Sequence, residues 1–324
     1  MTSVIVDLGT SSSRIGTAGD AAPSFEQGRE AAGCAVWASQ TRDYDFVDRL
    51  LGQSKLFDMK SGSNTDVLVA ESVWEVDPLH HRLRMCEVLF EKRNAASVCF
   101  QYAPVLTCFA NARQSALVVD ISGGGCTATA VLDGWCSADK DKVERSELGG
   151  ERLDGFFAKV NNAPVVTKQV FNQLATQKKN REAESYTLPD GTPISQRVCD
   201  LLFDPEPLED PASMVPLHEM VFTAAMKQSP SAEMRRSLMN NIVVCGGLSR
   251  TEGLVVQLTS KLNELGKMQH PRVICCGPPQ RHLTSWIGGS ILASLPVFKE
   301  LGMTKQEFQE SGQDAILKRF AQSS

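Results

Sequence analysis

The chain contains 324 residues, of which 42% are hydrophobic and 22% are charged, and its formal net charge is -5 at pH 7. This length predicts two domains, and the composition excludes a disordered or fibrous protein. The negative net charge argues against a broad, non-specific nucleic-acid surface. No apolar stretch approaches the ~20 residues of a membrane span, and the first residues lack a signal-peptide pattern. We therefore expect a soluble intracellular protein.

Cysteine usage supports the same expectation. The chain has ten cysteines and no Cys-x-x-Cys pair. Because most of them lie in apolar runs, we expect reduced, buried thiols rather than a disulfide framework.

The first predicted element is a strand, a turn and a second strand over residues 4–16. An apolar run leads into Asp7, and a turn of Gly, Ser and Thr follows. Because such a turn carries little side-chain bulk, its backbone N–H groups can approach phosphate oxygens. Two alternatives stay open: Asp7 caps its own turn, and Arg14 pairs with an acidic neighbour instead of a phosphate. The candidate nucleotide-binding residues of this copy are Asp7, Gly9, Thr10, Ser11, Ser12 and Arg14.

Alternating helices and strands follow this hairpin. Hydrophobic spacing and turn signals predict a helix at Asp43–Leu51, a strand at Asp66–Ala70, a helix at Arg82–Lys92, a strand at Val98–Gln101 and a helix from Pro104 to about Arg113. This alternation is typical of an α/β protein.

The strand–turn–strand device occurs a second time at residues 117–131, where an apolar run leads into Asp120. A third glycine turn follows a predicted buried strand at Asn241–Cys245. Two hairpins with matched aspartates predict that nucleotide phosphates are gripped from both sides, with Asp7 and Asp120 facing a metal ion through its water. The further candidate residues of these turns are Ser122, Gly123, Gly124, Gly125, Gly246, Gly247 and Leu248.

The remaining elements complete the pattern. A helix is predicted at Leu254–Leu265, a strand at Val273–Cys276 and a helix at Trp286–Leu295, whose Gly288-Gly289 pair allows close approach to a neighbour or a ligand. Thr304 and Glu307 form a capping-box pattern. Together the elements predict two α/β halves, each built around one hairpin, with the C-terminal residues returning to the first half.

Four segments resemble actin: residues 7–19, 185–191, 286–295 and 304–312. The resemblance extends from residue 4 to about 320 and is interrupted at roughly 24–45 and 155–184. Near-matching residues run without a break through 286–295, which makes the resemblance specific.

The resemblance implies an α/β, actin-like fold of two ribonuclease-H-like halves around a nucleotide cleft. Residues 1–113 with 284–324 would form the first half, and residues 114–283 the second. The second and fourth subdomains would be shortened, at about 24–60 and about 155–184. Since these regions carry subunit contacts in actin filaments, filament contacts should be missing.

Other segments are similar to the nuclear branch of actin-related proteins, which serves in chromatin-remodelling and histone-acetyltransferase complexes. They are residues 103–113, Ser12-Ser13-Arg14 and residues 262–265. This likeness implies a nuclear architectural subunit whose partner is a scaffold subunit that docks through a long helix. A conventional actin or a second actin-related protein, and histones, are the further partners it implies, and no membrane is involved.

The partner helix would occupy an apolar groove. The alternative for these side chains is simple core. The groove residues implied by the resemblance are Phe109, Ala110, Ala112, Ile291, Leu292, Leu295, Val297 and Leu301.

The same resemblance implies ATP with Mg²⁺ as the cofactor, with ADP or an empty cleft as alternatives. Actins position the attacking water with a glutamine where this chain has Ala103. They also carry an Asp and a His where this chain has glycines and Cys126-Thr127. Because a water-activating group must reach the nucleophile, we expect no hydrolysis and no enzyme activity.

Two other functions were compatible with the sequence. One is a cytoskeletal actin-related protein that caps a filament end in a motor-adaptor complex, which the shortened regions also fit. The other is an active phosphotransferase or ATPase of the same superfold, which the missing catalytic side chains disfavour.

Overall fold

The computed structural model divides into two compact units, which are described separately below. The first unit takes its residues from Met1–Gly28, Val36–Ala112 and Ser285–Ser324, and the second from Arg113–Thr284. The structure describes residues 3–28, 43–57, 65–75, 77–137, 142–153, 155, 186–187, 193–194, 198–206, 208, 214–228, 231–251, 253–265, 271–274 and 280–320.

Strands occur throughout the described chain. In chain order they are β1 (Ser3–Leu8), β2 (Ser12–Thr17), β3 (Phe25–Gly28), β4 (Asp66–Glu71), β5 (Ser97–Tyr102), β6 (Ala116–Ile121), β7 (Cys126–Val131), β8 (Glu144–Ser146), β9 (Tyr186–Thr187), β10 (Pro193–Ile194), β11 (Ile242–Cys245), β12 (Val273–Ile274) and β13 (Met303–Thr304).

The helices alternate with these strands. They are α1 (Tyr44–Gln53), α2 (Pro78–Cys86), α3 (Ala103–Ala110), α4 (Val198–Phe203), α5 (Leu217–Lys227), α6 (Ala232–Met239), α7 (Leu254–Leu265), α8 (Thr284–Ser294), α9 (Phe298–Leu301), α10 (Lys305–Ser311) and α11 (Gln313–Phe320). A π-helical turn at Glu87–Lys92 continues α2.

The first unit is built on a sheet whose strand order among the described residues is β13-β5-β4-β1-β2-β3. β1 pairs parallel with β4, and β4 pairs parallel with β5, while β2 is antiparallel to β1. Successive side chains of β1 point to opposite faces of the sheet. Val4 and Val6 pack in one core cluster with α1 and α2, and Ile5 packs in another with Leu106 and Trp286. The central strands are therefore apolar on both faces, as buried parallel strands require.

The helix α8 approaches this sheet at unusually short range. A side chain at Gly288 would collide with the carbonyl group of Leu106, which belongs to α3. A Cβ atom at Gly289 would lie 3.0 Å from Cγ2 of Ile5 and 3.2 Å from Cδ2 of Leu68. The prediction that the glycine pair permits close approach is confirmed, and the neighbour is the protein itself.

A buried ion pair also organises the first unit. Arg82 of α2 donates through Nε and Nη2 to Glu71 at the end of β4, at 2.9 and 2.7 Å. Its Nη1 donates to the main-chain carbonyl of Phe320 at 2.7 Å, and its Nη2 to the Tyr102 hydroxyl at 3.2 Å. Because both charged side chains are almost fully buried, this network fixes the end of α11 to the sheet.

The second unit is built on a sheet with the order β12-β11-β6-β7-β8 among the described residues. β6 and β7 form the antiparallel second hairpin, and β11 runs parallel to β6 with Cys245 beside Asp120. The helices α5 and α7 pack with β6 and β7 in one core that includes Leu117, Val119 and Leu258.

Most predicted elements are confirmed, with shifted boundaries. The helix predicted at Arg82–Lys92 begins earlier, because Asp77 accepts a hydrogen bond from the backbone N–H of His80 and Pro78 stands in the first turn. The capping box is confirmed: Thr304 and Glu307 each accept a hydrogen bond from the other's backbone N–H. The segments 158–185, 188–192 and 275–279 lie outside the described residues, as does most of the shortened region at 155–184.

The cysteine prediction is confirmed for the described thiols. Cys86, Cys99, Cys108, Cys126, Cys136, Cys199 and Cys245 are free and buried. In the part of the chain that the structure describes, no helix is both long and apolar enough to span a membrane.

Candidate functional site

The first candidate site is the β1–β2 hairpin of the first unit. The register places Asp7 opposite Arg14 and Leu8 opposite Ser13. The turn closes with a hydrogen bond from the Gly9 N–H to the Ser12 carbonyl at 3.1 Å. A Cβ atom at Gly9 would stand 2.7 Å from that same oxygen, so the turn requires glycine for this close approach.

Asp7 is held inside a polar network of the first unit. Its Oδ2 accepts hydrogen bonds from Arg14 Nη1 at 3.2 Å and from the Ser285 hydroxyl at 2.7 Å. Arg14 Nη2 donates to the Ser12 hydroxyl at 2.6 Å, and Arg14 Nε donates to Glu26 of β3 at 3.2 Å. Of the two alternatives for Arg14, the structure therefore shows the acidic pairing.

The backbone of the first turn offers donors. Thr10 and Ser11 lie between the two strands, and their N–H groups donate to no other group in the described part of the chain. Ser11 is buried. A buried donor without a partner costs free energy, and adjacent amides of this kind form a concave anion site.

The second candidate site is the β6–β7 hairpin of the second unit. The Ser122 N–H donates to the Gly125 carbonyl at 3.0 Å, and the Ser122 hydroxyl donates to Asp120 Oδ1 at 2.6 Å. The N–H groups of Gly123 and Gly124, at the tip, donate to no described group. This turn thus repeats the amide arrangement of the first one.

Two further glycine segments pack against the second turn. Gly150 donates its N–H to the Ser122 carbonyl at 3.1 Å, and a Cβ atom at Gly149 would lie 2.7 Å from the Gly123 oxygen. Gly246 has φ of +90°, and a Cβ there would lie 2.5 Å from the Ile121 oxygen and collide with the Asp120 carboxylate. The structure therefore brings the predicted turn at 246–248 beside Asp120, in a space that only glycine leaves open.

The side chains of Ala103, Cys126 and Thr127 are poorly suited to activate water. Ala103 begins α3 and has no side-chain donor or acceptor. The Cys126 thiol lies 2.8 Å from the Leu148 carbonyl, to which it donates, and burial raises its pKa, so it remains a neutral thiol. Thr127 is buried and is a weak base at neutral pH.

A divalent metal fits the first hairpin poorly. Mg²⁺ requires carboxylates that are free to hold it or its water, and the Asp7 carboxylate is already neutralised by Arg14. A dication placed at Asp7 would also be repelled by the adjacent guanidinium. The role predicted for Asp7, facing a hydrated metal, stays a prediction. The Asp120 carboxylate accepts a hydrogen bond from the Ser122 hydroxyl, and its role in metal binding stays a prediction.

The predicted groove residues differ in their exposure. Ile291, Leu295, Val297 and Leu301, here named the apolar strip, are 41%, 41%, 46% and 37% exposed. Leu292 is 4% exposed and packs in the core beside Trp286. A buried side chain cannot contact a partner, so Leu292 is corrected from groove to core. Phe109 and Ala110 are half-buried, and Ala112 is exposed.

Some residues of the network were missed from the sequence. Glu26 and Ser285 contact the first hairpin only through folding, since Ser285 lies far from Asp7 in the chain. Gly149 and Gly150 form a visible glycine pair, which was the one signal that could have identified them.

Each unit therefore contains a mixed sheet, and in each sheet a strand–turn–strand places backbone amides beside an aspartate. This is the arrangement of an actin-like α/β fold. The actin family model matches residues 36–167 and 158–321, and the chain belongs to the actin family. That fold typically binds a nucleotide with a divalent metal.

The chain is similar to curated actin-like proteins over nearly its whole length. It is 25% identical to actin-like protein 9 of Rattus norvegicus, over 98% of this chain and 89% of the rat protein. It is 24% identical to actin-like protein 9 of Mus musculus, over 98% of this chain and 88% of the mouse protein.

Proposed function

We propose that this chain is a non-polymerising nuclear actin-related protein that serves as an architectural subunit of a chromatin-remodelling or histone-acetyltransferase complex. The observation that carries the proposal is the apolar strip, which runs from α8 through the connecting residues to α9 and whose four large side chains are exposed. An amphipathic helix that docks by its apolar face requires such a surface. The partner is accordingly a long helix of a scaffold subunit.

The proposed cofactor role is structural. The amides of Thr10 and Ser11 in one unit, and of Gly123 and Gly124 in the other, are suited to phosphate oxygens. With Ala103 and Cys126 where a water-activating group would be needed, the bound nucleotide is ATP that persists without hydrolysis. A ligand that binds only the folded state stabilises it by about 2.7 kcal/mol at a hundredfold excess over its Kd.

Leu295→Asp is expected to reduce recovery of the native complex by at least about tenfold, because a charge would be desolvated where the partner helix docks. The measurement is affinity purification of the tagged protein from its native cells, with quantitative mass spectrometry of the co-purified subunits. Because Leu295 is 41% exposed in the isolated chain, the fold itself should tolerate the change.

Val256→Asp is the matched control, since Val256 is an exposed apolar residue on α7 of the second unit. It should leave the complex intact. If folded Leu295→Asp protein still recovers the whole complex, the apolar strip is not the docking site. Recovery of a motor-adaptor complex by the unmodified protein would replace the nuclear assignment with filament-end capping.

ATP added to the purified protein is expected to remain intact, with phosphate release at background for many hours. The physical reason is the absence of a general base or water-positioning group at Ala103, Cys126 and Thr127. A phosphate-release assay with and without partner subunits measures this. A steady rate that disappears in Asp120→Asn would show that the second hairpin supports catalysis.

A further inference from the structure

The turn of the second hairpin is held from one side by residues 149–151. The Gly150 N–H donates to the Ser122 carbonyl at 3.1 Å, and the Glu151 N–H donates to the Gly123 carbonyl at 2.9 Å. These donors lie in the first turn of a helical segment that begins at Gly150, where N–H groups have no partner within the helix. Because both are taken by the protein's own carbonyl groups, they are not available to an anion.

The same two hydrogen bonds decide where the other edges of these peptide groups point. The described peptide bonds are trans, and in a trans peptide group the C=O and the N–H point in opposite directions. The Ser122 carbonyl shares its peptide group with the Gly123 N–H, and the Gly123 carbonyl shares its group with the Gly124 N–H. Because both carbonyl groups point toward residues 150–151, both N–H groups point away from them. Successive amides that point the same way form a concave anion site.

Both of these N–H groups are available to a ligand. Neither donates to another group in the described chain, and Gly124 is exposed at the tip of the turn. A hydrogen bond at a carbonyl polarises its peptide group, which makes the N–H of the same group a stronger donor. Residues 149–151 therefore orient the amides of Gly123 and Gly124 and also strengthen them as donors.

The first hairpin lacks this support among the described residues. The carbonyl groups of Gly9 and Thr10 share their peptide groups with the N–H groups of Thr10 and Ser11, and they accept no hydrogen bond from the described chain. Fixing a backbone conformation costs free energy, and donors that are fixed before the ligand arrives avoid that cost on binding. Of the two turns, the second is accordingly the prearranged one.

Gly149 allows the supporting segment to lie this close to the turn. A Cβ atom at Gly149 would lie 2.7 Å from the Gly123 carbonyl oxygen and would collide with the main-chain nitrogen of Gly125. Both contacts are with backbone atoms, which cannot rotate aside as the end of a side chain can. A side chain at this position would push residues 149–151 away from the turn and disturb the two hydrogen bonds that orient it.

We infer that residues 149–151 are the positioning element of a phosphate site on the second hairpin, in which the paired N–H groups of Gly123 and Gly124 hold the oxygens of one phosphate group. The inference rests on the nucleotide binding proposed above and identifies the residues that prearrange it. The ligand is the phosphate chain of a nucleoside triphosphate. Residues 149–151 act on it through the peptide groups of the turn.

The first test follows the glycine amides of the unmodified protein by nuclear magnetic resonance, with ¹⁵N-labelled glycine and with ATP and Mg²⁺ as the probe. The signals of Gly123 and Gly124 are assigned by their loss in Gly123→Ala and Gly124→Ala. Both signals should move downfield when ATP binds, because their protons are then hydrogen-bonded to phosphate oxygens. ATP that binds by calorimetry without moving either signal would overturn the inference and leave nucleotide binding in place.

The second test is Gly149→Ala, which is expected to raise the Kd of ATP by at least about tenfold and to abolish both amide shifts. Gly155→Ala is the matched control, because Gly155 is exposed in the same helical segment and a Cβ atom there meets no atom within 4 Å. Its Kd should stay within about threefold of the unmodified value. A merely structural role for Gly149 would lower the melting temperature of the nucleotide-free protein and change neither readout.

The remaining outcomes are distinguishable. Folded Gly149→Ala protein with unchanged Kd and unchanged amide shifts would overturn the inference. If this variant does not fold, the amide shifts of the unmodified protein still decide, since they require no change at Gly149. If the unmodified protein binds no ATP, the proposed nucleotide binding is wrong and the inference with it, whereas the apolar strip is unaffected.

Discussion

Gly288→Ala is expected to lower the free energy of unfolding by about 3 kcal/mol or more, near the upper end of overpacking effects. The added methyl group would meet the carbonyl group of Leu106, which is helical backbone and cannot rotate away. The helices α3 and α8 would have to separate, and the core around Trp286 would open with them. Urea denaturation followed by tryptophan fluorescence measures the loss.

Gly289→Ala is a control one residue away in the same helix. Both changes gain about 1 kcal/mol of helix propensity, so their difference isolates the collision. The Gly289 methyl group would meet the side-chain ends of Ile5 and Leu68 at 3.0 and 3.2 Å, and these can shift. Its effect should be small. Equal stabilities for the two variants would contradict the close helix packing described above.

Arg82→Met is expected to cost about 3–5 kcal/mol, because it leaves the Glu71 carboxylate buried without its counter-charge. It also removes the hydrogen bond to the Phe320 carbonyl. Burial raises the pKa of Glu71, and hydrogen bonds from Arg82 oppose that rise. Without Arg82 the folded protein should hold a proton at Glu71 to higher pH than the unfolded chain. The deficit should therefore be larger near about pH 8 than near about pH 5.

The neighbouring Arg84 again provides the comparison. Its ion pair with Glu87 is exposed on the same helix, and Arg84→Met should cost less than about 1 kcal/mol. The double variant Glu71→Gln with Arg82→Met should be more stable than Arg82→Met alone, since no charge remains buried. A single variant with no measurable loss, or a loss that grows at low pH, would refute this account of the pair.

Local patterns in the sequence were sufficient for much of the fold. The apolar runs before Asp7 and Asp120 predicted β1 and β6, and the Thr304–Glu307 pattern predicted the start of α10. Each depends on residues within a few positions of one another. β3 was not predicted, because Phe25–Gly28 is a short edge strand without alternating hydrophobicity.

The contacts that define the site could not be predicted from the sequence, because they depend on which strands and helices lie side by side. Arg14 pairs with Glu26 only because β2 and β3 lie side by side, and periodicity carries no information on which charges will meet. The sequence left two roles open for Arg14, and only the fold brought Asp7, Ser285 and Glu26 around it. The burial of Leu292 beside exposed Ile291 likewise depends on which side of α8 faces the sheet.

The discontinuity of the first unit has a consequence for synthesis on the ribosome. Its sheet is completed by β13, and its core includes Trp286, Met303 and Ile316. The described residues of the second unit all lie in Arg113–Thr284, which emerges before residues 285–324. Because domains fold as units during synthesis, we expect the second unit to fold before the first. The N-terminal strands of the first unit would then keep unpaired edges until about the last forty residues have been synthesised. Slow translation before residue 285 would therefore prolong the exposure of these unpaired strand edges, which can promote aggregation.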